Sequence, residues 1–220
     1  MAVARISFQQ ELEKLQKEVL HMGEVVDRAM ASAMESLVKR DLQLAETVIQ
    51  GDQVIDDLEL AIEQECLKLL ALQQPMAIDL RTIGTMLKIV TDLERMGDHA
   101  TDIARAVRRM GQNPPIKPLV DIPRMAEIGR HMLQEGLKAF IERDVERALA
   151  MAREDDQLDH LFKQVFRELL LLMIANPAVI EEATQLILVA ASLERVGDHC
   201  TNLAEWTIYM VTGERRDLNL

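Results

Sequence analysis

The sequence predicts an all-α protein made of two tandem, similar three-helix bundles, with six helices in all. Three observations predict this fold class. Aromatic residues make up only 3% of the chain, glycines number nine and prolines six, while strong helix formers such as Leu, Ala, Glu and Gln are abundant. Apolar residues recur in alternating steps of three and four, which is the period of an amphipathic helix. The same order of helices also occurs twice along the chain, which indicates an internal duplication.

The first half contains three such helices. The first begins by Phe8, and its inward-facing residues form one seam: Leu12, Leu15, Val19, Met22, Val26, Met30, Ala33 and Leu37. The KRD segment ends this helix, and Asp41 is a suitable N-cap for the second one. The second helix ends before Pro75, and the third runs from about Met76 to Met110.

A proline-rich segment separates the two halves. Four of the six prolines fall in GQNPPIKPLVDIP (111–123), which predicts an extended linker. After it the helical pattern restarts. IERD lies 103 residues after VKRD, and LERVGDHCTNLA lies 100 residues after LERMGDHATDIA. We therefore expect a first bundle over residues 1–111, a linker over 112–121 and a second bundle over 122–220.

The composition argues against several classes of protein. A formal net charge of −12 and an isoelectric point near 4.9 disfavour a nucleic-acid binder and attachment to an anionic membrane surface. Cys66 and Cys200 form no CxxC pair, and the first residues carry no apolar signal-peptide region. The longest uncharged run, LLLLMIANPAVI, is too short for a membrane span. We therefore expect a soluble protein of the cytoplasm.

The repeated heptapeptide, LERMGDH at 93–99 and LERVGDH at 193–199, carries its acidic residues in rows. Positions i and i+4 of a helix lie on one face, so the third helix of each half has a polar row at the edge of its apolar seam. The second helix of each half carries an acidic pair with the same spacing. These residues are Glu94, Asp98 and Asp102 with Asp52 and Asp56 in the first half, and Glu194, Asp198 and Asn202 with Asp155 and Asp159 in the second.

Carboxylates brought together in this way repel one another, and their pKa values rise unless a cation compensates them. If the second and third helices are adjacent and antiparallel, each bundle presents four or five oxygen-bearing side chains to one place. Oxygen ligands suit a hard or borderline cation. The rows therefore predict a metal site in each bundle, for a divalent or trivalent ion that can be iron, zinc, manganese or magnesium.

A solvated helix face is the alternative explanation of these rows, because carboxylates at this spacing are common on helix surfaces. In the first half Arg95 can pair with Asp98, and Arg105 can pair with Asp102. The second half has Glu205 at the position that matches Arg105, so its row has less local neutralising charge. The duplication of the rows within one chain favours the metal site.

A glycine lies between the two leading carboxylates of each row. A mid-helix glycine costs roughly 1 kcal/mol relative to alanine, yet Gly97 and Gly197 are present in both copies. This suggests close approach by a helix, a ligand or a partner at this point.

Basic residues and histidines flank both rows. His99 and His199 lie well around the helix from the carboxylates, so we expect hydrogen bonds to a neighbouring helix rather than a ligand role. Arg95 and Arg195 either clamp the rows or face a binding partner, and the sequence does not separate these two roles.

The strings LERMGDHATDIA and LERVGDHCTNLA, with QPMAIDLR and LKIVTDLER ahead of the first, resemble the PhoU family of phosphate-signalling regulators. The resemblance covers nearly the whole chain, and the doubled ERxGDH is a specific signature. It implies two similar three-helix bundles packed side by side. It also implies a cytoplasmic adaptor, not an enzyme, that couples the ATPase subunit of a phosphate ABC transporter to a phosphate-sensing histidine kinase. Such an adaptor is a negative regulator of the phosphate-starvation response.

The resemblance further implies a homodimer and metal ions at E/DxxxD motifs, which fall on the acidic residues named above. Asn202 stands where the first copy has Asp102, so the second site should be the less charged one. NPAVIEEA replaces QPMAIDLR, so any role of Asp79 and Arg81 has no counterpart in the second half.

Two other functions compete with this reading. A ferritin-like di-metal carboxylate protein needs two Glu-x-x-His pairs on inward helix faces. Only Glu18 and His21 have that spacing, and they lie outside the repeat. A plain helical scaffold without metal is the other alternative. No Ser/His/Asp or Cys/His arrangement points to catalysis.

Overall fold

The computed structural model describes the backbone of residues 2–218 and the side chains of residues 8–218. Within these residues every regular element is helical, which confirms the all-α prediction. The helices are α1 (Ala2–Lys39), α2 (Leu42–Gln73), α3 (Ile78–Met110), α4 (Asp121–Glu142), α5 (Val145–Ala152), α6 (Asp155–Ala175) and α7 (Ile180–Thr212), with a 3₁₀ turn at Pro177–Val179. None of them combines the length and the apolarity that a membrane span requires.

The first bundle consists of α1, α2 and α3. The apolar seam of α1 predicted from the sequence is buried along its whole length. Asp41 caps α2 by accepting hydrogen bonds from the backbone N–H groups of Gln43 (3.0 Å) and Leu44 (2.9 Å). The α2 helix ends at Gln73, and the next residue, Gln74, adopts a left-handed conformation ahead of Pro75. Local signals in the sequence therefore set the ends of these helices.

The second bundle consists of α4, of α5 and α6 together, and of α7. The joint between its first two helices has the same conformation as the joint between α1 and α2. Arg143 has a positive φ of 56° where Arg40 has 53°, and Asp144 caps the next helix as Asp41 does. The backbone N–H of Asp144 bonds to the carbonyl of Ala139 at 2.9 Å. The duplication therefore extends to the backbone conformation of the joint.

The middle helix of the second bundle is interrupted at Arg153 and Glu154, which divide it into α5 and α6. Both residues keep helical φ angles, but their ψ angles of −17° and −19° are those of a 3₁₀ turn. The backbone N–H of Glu154 bonds to the carbonyl of Met151 at 2.9 Å, three residues back. This tightened turn lies directly before Asp155, the first acidic residue of α6.

The two bundles pack side by side and share one continuous core. Helices α3 and α7 run antiparallel along their interface, where Thr85 Oγ1 donates to the carbonyl of Trp206 (3.3 Å) and Arg81 Nε donates to that of Met210 (3.2 Å). Arg130 of α4 forms a bidentate ion pair with Asp27 of α1, at 2.6 and 2.9 Å. Because α3 and α7 are antiparallel, their acidic rows run in opposite directions.

The segment between α3 and α4 contains no helix, and it is tied to the second bundle. The backbone N–H of Ile116 donates to Glu182 Oε1 at 3.3 Å, and Lys117 pairs with Glu168. Glu182 also pairs with Arg40, whose side chain is only 9% exposed. The chain after α3 thus crosses directly to the neighbouring bundle.

Candidate functional site

The two heptapeptides have the same burial pattern position by position. In both, the Leu, the Met or Val and the Gly are buried, the Glu, Asp and His are half-buried, and the Arg is exposed. The carboxylates stand at the edge of the core in both bundles, as the helical period predicts.

Gly97 and Gly197 mark the closest approach of the second helix to the third in each bundle. A Cβ atom on Gly97 would lie 2.8 Å from Ile55 Cδ1, and one on Gly197 would lie 2.6 Å from Leu158 Cδ1 and closer still to Asp155 Oδ1. Both distances are shorter than van der Waals contact allows. The close approach that the duplicated glycines suggested is therefore made by a helix, and it brings the acidic pairs against the acidic rows.

The first acidic site comprises Asp52 and Asp56 of α2 with Glu94 and Asp98 of α3. Burial raises the pKa of Asp52, and the charges of Asp98 and Asp56 raise it further, while a hydrogen bond from Thr101 opposes them. Burial also raises the pKa of Glu94, followed by the charge of Asp98. The two helices therefore bring these carboxylates close enough to repel one another.

Glu59 is an acidic neighbour of the first site that the sequence reasoning missed. Burial raises its pKa, a hydrogen bond from Thr91 opposes the rise, and Glu63 and Asp56 act in the same direction as burial. Its charge also acts on Glu94. The duplication could not reveal it, because residue 162 at the matching position of the second half is a phenylalanine.

The second acidic site comprises Asp155 and Asp159 of α6 with Glu194 and Asp198 of α7. Burial raises the pKa of Asp155 to about 6, and the charges of Asp198, Asp159 and Glu194 add to this rise. Burial followed by Asp198 also raises the pKa of Glu194. The site opens into a pocket of about 580 Å³, lined by Leu149, Ala152, Arg153, Asp155, Asp156, Asp159, Asp198 and Leu218.

The third residue of each row is engaged elsewhere. Asp102 is paired with Arg105 at 3.1 Å on the exposed face of α3. Asn202 Nδ2 donates to Asp92 Oδ1 at 2.9 Å, across the interface between α7 and α3. The structure therefore groups four of the five predicted oxygen donors in each half, and it places Asp102 and Asn202 in other contacts.

Asp92 is a second residue that the sequence reasoning missed. It is 9% exposed and accepts hydrogen bonds from both Asn202 and His199, whose Nδ1 lies 2.9 Å from Asp92 Oδ1. The signal in the sequence was its place one residue before the repeated heptapeptide, where the second copy has Ser192. His199 thus bonds to a neighbouring helix, as expected.

His99 and His199 meet where α3 crosses α7, with ring centroids 5.6 Å apart. Burial lowers the pKa of His99 to about 4, and the nearby His199 and Arg195 lower it further. Among the described residues, His99 Nδ1 is a buried atom without a hydrogen-bond partner. The histidines therefore belong to the interface between the bundles.

Each arginine of the heptapeptides lies against its own acidic row. Arg95 Nη1 lies 3.2 Å from Asp98 Oδ2, and Arg95 Nε lies 3.4 Å from Glu94 Oε2. The charge of Arg195 lowers the pKa values of Glu194 and Asp198 against the larger effect of burial. Both side chains are more than a third exposed, so they remain available to a partner as well.

The donor chemistry of both sites suits a hard cation, because all four grouped side chains are carboxylates. Within residues 8–218, however, no three Asp, Glu, His or Cys side chains already converge as a metal cage. A cation bound here would require the carboxylates of the two facing helices to turn toward each other. Burial and the neighbouring carboxylates raise the pKa of Asp155 by disfavouring its charged form, and a bound cation would relieve this cost.

Known proteins resemble the chain over nearly its full length. A phosphate-specific transport system accessory protein PhoU homolog of Clostridium acetobutylicum is 40% identical over 218 residues, covering 99% of this chain and all of the relative. The corresponding homolog of Aquifex aeolicus is 42% identical over 204 residues, covering 93% and 92%.

Solved structures also resemble the chain over nearly its full length. PhoU from Pseudomonas aeruginosa has a TM-score of 0.90 at 36% identity, covering 94% of this chain and all of that one. The phosphate transport system regulatory protein PhoU from Streptococcus pneumoniae has a TM-score of 0.90 at 32% identity, covering 96% and 99%. The family model for the PhoU domain matches residues 19–107 and again residues 122–207. The chain therefore belongs to the PhoU family and contains two copies of its domain.

Proposed function

We propose that this protein is a regulatory adaptor of phosphate transport. In this role it binds the ATPase subunit of a phosphate ABC transporter and a phosphate-sensing histidine kinase, and it keeps the phosphate-starvation response off when phosphate is plentiful. The observation that supports this most strongly is the full-length match to relatives named as phosphate-specific transport system accessory proteins. In this role the protein acts in the cytoplasm.

Deletion of the gene tests the regulatory role. Genes of the phosphate-starvation response should then be expressed at high phosphate, and a plasmid copy should repress them again. Unchanged expression in the deletion strain would contradict the proposal. Pull-down of the transporter ATPase subunit and of the kinase by the purified protein tests the two partners separately, and sedimentation tests the homodimer.

The two acidic sites hold cations in this proposal, with four carboxylates each. The ligands are Asp52, Asp56, Glu94 and Asp98 in the first site, and Asp155, Asp159, Glu194 and Asp198 in the second. Support comes from the duplicated geometry at Gly97 and Gly197 and from the raised pKa of Asp155. Asp102 and Asn202 would join their sites only by leaving Arg105 and Asp92.

Elemental analysis of the purified protein and calorimetric titration with Mn²⁺ test the metal sites. The double variant D155N/D198N should lose the second binding event, and D52N/D98N should lose the first. The control is D57N, because Asp57 is an exposed carboxylate of α2 outside the site. Absence of bound metal, together with unchanged partner affinity of E94A/D98A, would favour a scaffold without metal.

The ferritin-like alternative finds no support in the positions of Glu18 and His21. His21 lies on the exposed face of α1, so this pair does not face a bundle core. Di-metal carboxylate proteins of that class need two such pairs directed inward. Metal-dependent oxygen consumption by the purified protein would revive this alternative.

A further inference from the structure

The chain does not end where α7 ends. After Thr212 it turns at Gly213, whose φ is +80°, and the backbone N–H of Glu214 donates to Thr212 Oγ1 at 3.1 Å. Residues 213–218 then run back along α7 and reach the side chain of Glu205. We call this segment the C-terminal strap.

Two contacts anchor the C-terminal strap to α7. The guanidinium of Arg215 lies over the ring of Trp206, 4.8 Å from its centroid, which is cation–π geometry. The backbone N–H of Leu218 donates to Glu205 Oε1 at 2.7 Å. The side chain of Leu218 is half-buried against the apolar core. The strap is therefore held at both of its ends.

Both anchoring residues are specific to the second half of the duplication. Trp206, the single tryptophan of the chain, corresponds to Ala106, and Glu205 corresponds to Arg105. The first half has no comparable strap, because the chain after α3 crosses to the second bundle, where the backbone of Ile116 bonds to Glu182. The replacements of Arg105 by Glu and of Ala106 by Trp thus coincide with the presence of the strap.

The strap ends at the second acidic site. Leu218 lines the same pocket as Asp155, Asp159 and Asp198, so its apolar side chain forms part of the wall beside these carboxylates. Asn202 and Glu205 lie along the path of the strap with Arg215, Arg216 and Asp217, around a smaller cavity of about 390 Å³. A solute that reaches the carboxylates from this side must pass the strap.

We propose that the C-terminal strap controls access to the second acidic site. The strap is closed when Arg215 lies over Trp206 and the side chain of Leu218 packs against the core beside the pocket, and it is open when these contacts are lost. Its role in cation exchange rests on the proposed metal function, whereas its shielding of the carboxylates does not. The first site exchanges with solvent without such a barrier, so the two sites respond on different time scales.

Carboxylate labelling tests the shielding without any metal. The full chain and the double variant R215A/L218A are treated with a water-soluble carbodiimide and glycinamide, and labelling rates are read by peptide mass spectrometry. We expect the rate at Asp155 to rise roughly tenfold in the variant, equivalent to about 1.4 kcal/mol of strap closure. Rates at Asp52 and Asp56 should stay the same.

The matched control is R216A, which removes a neighbouring arginine of the strap that is not on Trp206 and is half exposed. It should leave all labelling rates unchanged. Equal rates at Asp155 in the full chain and in R215A/L218A, with circular dichroism showing that both are folded, would overturn the proposal.

The fluorescence of Trp206 reports independently whether the strap covers this residue, because it is the single tryptophan of the chain. Acrylamide quenching should increase in R215A/L218A and remain unchanged in R216A. Mn²⁺ should leave the second site faster in R215A/L218A than in the full chain, and equal release rates would also overturn the proposal. If neither site takes up Mn²⁺, the metal function fails, and the labelling experiment still decides the role of the strap.

Discussion

The first and second acidic sites share one backbone plan but differ in the groups that offset their charge. In the first site, a hydrogen bond from Thr101 and the charge of Arg105 both oppose the rise in the pKa of Asp52. In the second site, burial raises the pKa of Asp155 to about 6, and the charges of Asp198, Asp159, Glu194 and Asp156 add to this rise. The second site therefore carries more unrelieved repulsion, although one of its five predicted ligands, Asn202, is not a carboxylate.

The difference arises from contacts that the duplication did not preserve. Thr201, which matches Thr101, donates its hydroxyl to the carbonyl of Gly197 at 3.2 Å and so leaves the carboxylates without this donor. Asn202, which matches Asp102, bonds to Asp92. The two copies thus kept the close approach of the helices at their glycines, whereas the polar partners around it diverged. Variants at matched positions of the two copies test this difference.

The largest effect is expected at the glycine contact. G197A should lower the free energy of unfolding by about 3 kcal/mol, because the new Cβ would overlap with Leu158 and Asp155. G97A should cost less, since its Cβ would overlap one side chain, that of Ile55, instead of two. Urea unfolding measures both. The control is G51A in α2, where nothing lies within 4 Å, and this variant should gain up to about 1 kcal/mol. Equal losses in G197A and G51A would contradict the close approach.

The next largest effect concerns the contact between the bundles. D92A should cost about 2 kcal/mol, because Asn202 and His199 both lose their buried acceptor. The matched variant in the other copy is S192A, which should cost less than about 0.5 kcal/mol, since alanine retains the packing of the buried Ser192. Thermal unfolding of both variants measures the difference in stability between them. Similar losses of stability would show that Asp92 has no special role.

A smaller change in the free energy of unfolding, with a defined pH dependence, is expected for a variant of Asp155. Its folded pKa lies above the ordinary value of 3.8, at about 6, so the folded protein is destabilised above pH 6 and this penalty disappears as the pH falls below 4. D155N, with EDTA present, should therefore raise the unfolding free energy by about 1 kcal/mol at pH 7.5, an estimate reduced for the partial exposure of this group. At pH 4 it should have little effect.

The counterpart of this experiment is D52N, which should give a smaller gain at pH 7.5, because Thr101 and Arg105 already favour the charged carboxylate. A gain at pH 4 equal to that at pH 7.5 would show that the effect of D155N is not electrostatic.

The smallest effect is expected from the neutralising arginine of the first row. R105A should change the stability by only a few tenths of a kcal/mol, because its ion pair with Asp102 is exposed. It should nevertheless raise the pKa of Asp52, which NMR titration of the side-chain carboxyl measures. The control is R108A, which breaks an exposed pair with Glu46 away from the site. An unchanged pKa of Asp52 in R105A would show that Arg105 does not cause the difference between the sites.

Much of the fold and part of the site could be predicted from the sequence. The seam of α1, the cap at Asp41 and the position of the linker depend on residues close together in the chain. The pairing of Asp52 and Asp56 with Glu94 and Asp98 followed from helical period and repeat. Glu59 could not be found in this way, because its counterpart is Phe162.

The number of repeats, the helix faces and the edge position of the carboxylates follow from the chain alone, since period and propensity act over a few residues. Tertiary packing fixes which polar groups meet across α3 and α7. It joined Asp92 to His199 and Asn202, residues more than 100 positions apart, and it placed Leu218 beside Asp155. Such contacts depend on how separate helices pack, and no local pattern in the chain encodes them.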